Sequence, residues 1–240
     1  MTTREPESDP GRLRDAREAL EERVDAVLEV IKPHLRGWLH LGMAPLAFLA
    51  GMTLVVLSDS LAARISAAVF TLTAVLLFGT SAIYHRGTWG PKMTGFLKRF
   101  DHANIFLIIA GTYTPFALLL SPSEGRTMLL IVWLGALAGV LFRILWVDAP
   151  RWLYVPVYVA LGWVAIFYLE PLFERGGAAL VTFIGIGGLL YTAGAVVYGI
   201  KRPNPSPRWF GFHEIFHTLT ILAFTAHFVA ASIALHRVAA

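Results

Sequence analysis

Apolar residues run along this chain in seven blocks, near 38–57, 64–84, 99–120, 127–146, 152–170, 178–200 and 213–236. Each is close to the roughly 20 residues that an α-helix needs to cross a bilayer. Polar residues gather between the blocks, and the connections are short. The pattern therefore predicts one all-α, seven-transmembrane bundle over residues 37–240, not two domains. Residues 1–36 have a different period. Asp9-Pro10 reads as an N-cap followed by proline at the first helical position. Leu13, Ala16, Leu20, Val24, Val27, Leu28 and Ile31 then recur at three- and four-residue spacing, up to Pro33. That is an amphipathic helix, expected to lie on the membrane surface or under the bundle, or else to dock a partner. No apolar core of a signal peptide occurs before Lys32, so the first membrane helix is expected to direct insertion.

Composition agrees with the pattern. Of the residues, 56% are hydrophobic and only 15% charged, against about 25% charged in an ordinary soluble domain. A polytopic membrane protein is expected. The net charge of +4 is then a matter of sidedness, not of nucleic-acid binding. The absence of cysteine excludes disulfides and thiolate metal ligands.

Lys and Arg set the orientation. Seven precede residue 37, four lie in the connection after segment two (Arg86, Lys92, Lys98, Arg99), two flank the one after segment four (Arg143, Arg151), and three follow segment six (Lys201, Arg202, Arg208). Against these sixteen, the other side has Arg64, Arg126, Arg175 and Arg237. This split predicts a cytoplasmic N-terminus and an extracytoplasmic C-terminus, as seven spans require.

With that topology, five polar residues fall at one depth. Segment seven opens with His213 and His217, one helical turn apart on one face. Segment two ends with Ser81 and His85 at the same spacing, and Asp101 stands in the first turn of segment three. Ionisable groups at such depth are costly and mark functional sites. Three neutral imidazoles and an oxygen suit tetrahedral zinc. In such a catalytic site water takes the fourth position, and its pKa falls toward about 7. Asp101 would orient that water as general base or ligate the metal itself. Ser81 would hydrogen-bond a carbonyl or an oxyanion. Ser81 could equally be a packing residue and Asp101 a helix cap. His34, His40, His102 and His236 read as isolated interfacial histidines, and His227 as an interhelical hydrogen-bonder. His213-Glu214-Ile215-Phe216-His217 also matches the His-Glu-x-x-His metalloprotease pattern. Intramembrane proteases with that motif need an acidic ligand on a later helix, and nothing acidic follows here, so Glu214 ranks low as a base.

Ser81-Ala82-Ile83-Tyr84-His85, Phe100-Asp101-His102-Ala103-Asn104-Ile105, Gly111-Thr112-Tyr113-Thr114-Pro115 and His213-Glu214-Ile215-Phe216-His217, with Ala226-His227-Phe228 beyond, occur in this order. Together they resemble the hemolysin III proteins, the bacterial branch of the progestin and adipoQ receptor family that includes the adiponectin receptors. The resemblance covers about residues 35–240 and implies seven transmembrane helices with a cytoplasmic N-terminus. It further implies zinc held by His85, His213 and His217, with Asp101 interacting directly or through water and Ser81 in the same cluster. The pattern is similar to that of alkaline ceramidases, which cleave a lipid amide. Family members often carry another residue at the position of Glu214, which argues against a general-base role.

Three readings follow. The first is a zinc-dependent hydrolase of a membrane lipid amide or ester, in the plasma (inner) membrane. The second is a non-enzymatic receptor or regulator of membrane lipid homeostasis with a structural zinc. The third, from the family name alone, is a channel or cytolysin. Gly185, Gly187 and Gly188 in segment six would permit close helix packing.

Overall fold

The structure, a computed structural model, describes residues 33–239. The expected amphipathic helix over residues 9–31 lies outside them. The described chain is helical: α1 Trp38–Leu57, α2 Leu61–Arg86, α3 Pro91–Ala117, α4 Pro122–Leu145, α5 Arg151–Gly162, a 3-10 turn Val164–Tyr168, α6 Leu169–Ile200 and α7 Phe212–Ala239. Five stretches are long and apolar enough to cross a membrane: Trp38–Leu57, Leu61–Arg86, Pro122–Leu145, Arg151–Ile200 and Phe212–Val238. The fourth runs 50 residues and contains both α5 and α6. Helix α3 is not among them, because Asp101, His102, Asn104 and the polar run 112–114 dilute its apolar character.

The helix ends differ from the apolar blocks for local reasons. Ser60 caps α2 by accepting from the Ala63 N–H at 3.1 Å, so that helix starts at Leu61, three residues before the block at 64. Ser121 and Glu124 form a capping box with Pro122 in the first turn of α4, so that helix starts five residues early. Helix α3 starts at Pro91, eight residues before the expected 99. Its first nine residues carry Lys92, Lys98 and Arg99, which hydrophobicity reads as loop. Within α6 the backbone leaves helical geometry at Gly177, with φ 80 and ψ 174. An L-residue with a side chain rarely adopts that conformation. The expected start at 178 falls one residue after this break.

Phe70, Phe78, Phe106, Phe116, Met128, Leu172 and Leu180 are fully buried between the helices. Around them an apolar belt faces outward: Val56 is 71% exposed, Leu134 62% and Leu189 62%. Exposed apolar surface of this extent marks a membrane-facing perimeter.

At one end of the bundle, contacts tie the segment before α1 to the connection after α6, the start of α3 to the connection after α4, and the start of α5 to the end of α6. The His34 N–H donates to the Arg208 carbonyl at 2.8 Å. Lys98 pairs with Asp148 at 2.9 Å, and Arg151 donates to the Tyr198 carbonyl at 3.2 Å. These segments carry the cations expected on one side of the membrane. The candidate site sits just inside this end.

Candidate metal centre

Helix α2 ends with Ser81 and His85, α3 contributes Asp101, and α7 opens with His213 and His217. All five expected residues meet. The Nε2 atoms of His85 and His213 lie 3.2 Å apart. One ligand atom from each of His85, His213 and His217 lies within 4.8 Å of the other two. The His213 and His217 rings are 4.5 Å apart, as one helical turn requires. Asp101 Oδ2 stands 3.9 Å from His85 Nε2, and the Ser81 hydroxyl hydrogen-bonds the Asp101 carboxylate.

This donor set fits zinc. Zinc–nitrogen bonds of about 2.0–2.1 Å at tetrahedral angles put neighbouring nitrogens about 3.3 Å apart, close to the observed 3.2 Å. His217 Nδ1 is buried with no hydrogen-bond partner, a costly state for a polar atom. Asp101 is close to His85 but does not belong with the three imidazoles whose ligand atoms all lie within 4.8 Å of one another, so it stands beside the three-nitrogen set.

Glu214 takes no part in the cluster. It is fully buried; Oε1 accepts from Arg36 Nε at 2.9 Å and Oε2 from the Gly211 N–H at 2.8 Å. Glu214 is the third helical residue reaching back to the backbone of the N-cap position, half of a capping box. Asn204 Oδ1 completes that end by accepting from the Phe212 N–H at 2.9 Å. His227 lies deeper. Its Nε2 contacts the Ile184 carbonyl at 3.2 Å, the interhelical role expected of it. A Cβ at Gly187 would stand 2.2 Å from the His227 ring, and Gly188 faces Trp163. These two glycines serve packing inside the chain, whereas Gly185 meets nothing within 4 Å.

Two buried neighbours of the cluster escaped the sequence reading. His40, on α1, is 2% exposed and stacks on His217, with ring centroids 3.8 Å apart and planes 16° from parallel. His102 contacts buried Arg143 through Nδ1. A lone histidine has no periodic partner to announce it; the only signal for either was its depth in an apolar block. His34 meets Trp209 with ring centroids 4.7 Å apart and planes tilted by 43°, and His236 is exposed, as expected for histidines outside the site.

Two hollows meet at the cluster. An apolar cavity lined by Asp101 and His213 reaches Trp163, Tyr191 and His227. Toward the charged end lies a polar vestibule lined by His85, Arg143, Arg151 and Lys201. Asp101, His102, Tyr198 and His213 line both.

Comparison with known proteins places this geometry in context. A family model described as haemolysin-III related matches residues 28–228. The hemolysin-3 homolog of Bacillus subtilis (strain 168) is 36% identical over 152 residues, which is 62% of this chain and 70% of that relative. The hemolysin-3 of Bacillus cereus is 29% identical over 182 residues, 74% of this chain and 83% of the relative.

Proposed function

This multi-pass membrane protein belongs to the haemolysin-III related family, and we propose that it hydrolyses an amide or ester of a membrane lipid at a zinc ion held by His85, His213 and His217. The observation that carries the reading is the approach of these three imidazoles from two helices, with Asp101 and Ser81 beside them. On this reading the seven helices all span, with the N-terminus and the charged end in the cytoplasm.

Bound there, zinc supplies a Lewis acid that polarises a carbonyl and acidifies water. The protein residues do the rest. Asp101, beside the nitrogen set, accepts the proton of the attacking water and returns it to the leaving nitrogen or oxygen. Ser81 holds the Asp101 carboxylate in place through its hydroxyl, and can instead donate to the oxyanion that develops on the carbonyl. His40 packs flat on His217 and fixes its ring plane. The apolar cavity receives the acyl chain and excludes water from it.

The same cluster favours a second reading. Its ligands come from α2 and α7, so a metal would staple the bundle and serve a receptor or regulator of membrane state without turnover. Purified protein reconstituted in lipid and offered ceramide-like and acyl-ester lipids separates the two by mass spectrometry of released fatty acid. Chelator-sensitive release supports hydrolysis. A zinc-loaded protein that releases nothing from the whole panel overturns it.

A further inference from the structure

The apolar cavity that opens from the histidine cluster has polar side chains along its wall, and most of them are already bonded within the protein. Thr112 Oγ1 donates to the Ile108 carbonyl at 2.7 Å, and Thr220 Oγ1 to the Phe216 carbonyl at 2.9 Å. Tyr113 Oη donates to the Gly162 carbonyl at 2.6 Å and accepts from the Ala165 N–H at 2.9 Å. Trp163 Nε1 donates to Thr192 Oγ1 at 2.9 Å. Two atoms at the far end differ. Tyr191 Oη and His227 Nδ1 are buried and have no hydrogen-bond partner among the described residues. Polar atoms left unpaired in apolar surroundings are costly, and both belong to side chains that line the cavity.

These two atoms form a pair. Tyr191 comes from α6 and His227 from α7, with ring centroids 5.5 Å apart and planes at 47°. His227 Nε2 meets the Ile184 carbonyl at 3.2 Å. A carbonyl only accepts, so Nε2 holds the proton, and Nδ1 of the neutral ring is a bare acceptor. A Cβ at Gly187 would meet the ring first at Cδ2 and Nε2, so α6 closes on the edge away from Nδ1. The Tyr191 hydroxyl offers a donor. An acceptor and a donor side by side match a group that donates to one and accepts from the other. An alcohol hydroxyl does both, and a methylene does neither. Asp101 is the only Asp, Glu, Lys or Arg lining this cavity among the described residues, and it stands at the cluster end. The far end therefore suits an uncharged group.

Helix α7 sets the spacing. His217 lies at the cluster and His227 ten residues further along the same helix, about 15 Å of rise. An extended chain gains about 1.2 Å per bond, a third of the length of an extended residue. A chain with its carbonyl at the histidines thus brings roughly its twelfth carbon to Tyr191 and His227. Between the two ends the wall is apolar, with Leu77, Ile105, Ile108 and Ile109.

We infer that Tyr191 and His227 form a hydroxyl-recognising subsite, and that the ligand of this cavity is an acyl chain hydroxylated near its middle, not a plain hydrocarbon chain. The direction of the chain rests on the proposed hydrolase reading, which puts the carbonyl at the histidines, but binding tests the subsite without turnover. The full chain, zinc-loaded in neutral detergent, is titrated with octadecanoic acid and with its 12-hydroxy and 6-hydroxy derivatives. The 12-hydroxy acid is expected to bind at least ten-fold tighter than octadecanoic acid. The 6-hydroxy acid, whose hydroxyl falls against the apolar wall, is expected to bind no tighter than octadecanoic acid. Tyr191→Phe, which removes one oxygen, and His227→Phe are each expected to reduce the ten-fold preference to less than three-fold, with the affinity for octadecanoic acid unchanged. A purely structural role would weaken both acids alike. Should His227→Phe not fold, Tyr191→Phe decides. Equal affinity for the 12-hydroxy acid and octadecanoic acid means that the pair holds only water and overturns the proposal. So does a preference shared by the 6-hydroxy acid, one that survives either substitution in folded protein, or the failure of every acid to bind. The preference without lipid hydrolysis leaves this subsite standing and counts only against the hydrolase; hydrolysis without the preference does the reverse.

Discussion

His85 and His213, 128 residues apart in sequence, bring their Nε2 atoms to 3.2 Å across the α2–α7 contact. Two imidazoles at that distance either share one hydrogen bond or share a metal. The third imidazole, His217, within reach of both, is what a hydrogen bond does not require and a metal does.

Asp101 divides catalysis from stapling. Asp101→Asn keeps the shape and the Ser81 contact but removes the proton acceptor. Lipid turnover is expected to fall by about 10²–10⁴-fold, with zinc content and melting temperature near those of the wild type. If the metal only staples the helices, the variant leaves function, metal and stability alike unchanged. Fatty-acid release and a melting curve on the same preparation decide between them.

Glu214 tests the protease-like pattern. Its carboxylate is spent on Arg36 and the Gly211 N–H. Glu214→Gln keeps an acceptor for the backbone but loses the charged pair, a loss of about 1.5–3 kcal/mol for a hydrogen bond to a charged group. A lower melting temperature with zinc and per-molecule activity retained is expected. Activity lost with stability intact would restore Glu214 as the base.

On the zinc reading, His40 acts through His217. His40→Ala removes the ring stacked at 3.8 Å and frees the ligand to turn. Zinc affinity is expected to drop about ten-fold, the low end for residues that orient ligands, while His40→Phe restores most of it. Competition with a chelating dye measures both. Equal affinity in all three proteins contradicts the positioning role.

Gly187 and His227 form a packing contact away from the three-histidine cluster. Gly187→Ala puts a Cβ 2.2 Å from the His227 ring; overpacking of this kind costs about 1–3 kcal/mol. Thermal stability is expected to fall with zinc content unchanged. Loss of zinc from this variant would mean that His227 belongs to the metal centre.

Much of the site was legible because its residues come in helical pairs. Ser81 with His85, and His213 with His217, repeat at one turn, and charge asymmetry put both pairs and Asp101 at one depth. The segments were legible through apolar length, but their ends were not. Helix α3 begins amid Lys92, Lys98 and Arg99, a charged stretch in which hydrophobicity gives no helix signal. Helix α6 is broken by one glycine that composition cannot distinguish from Gly176 beside it. His40 and Arg143 stand alone in their segments, and a single residue has no period. Arg143 had counted only as a charge; its burial between Phe142 and Ile144 depends on α4 packing against Tyr154 and His102, which only the fold brings together.

The central claim is that three histidines from two helices hold one metal ion. Elemental analysis of purified protein, wild type beside His85→Ala, tests it most directly. About one zinc per wild-type chain, with loss of most of it in His85→Ala that remains folded, is the predicted result. Metal-free wild-type protein from zinc-replete cells, or an unchanged zinc content in the variant, contradicts it.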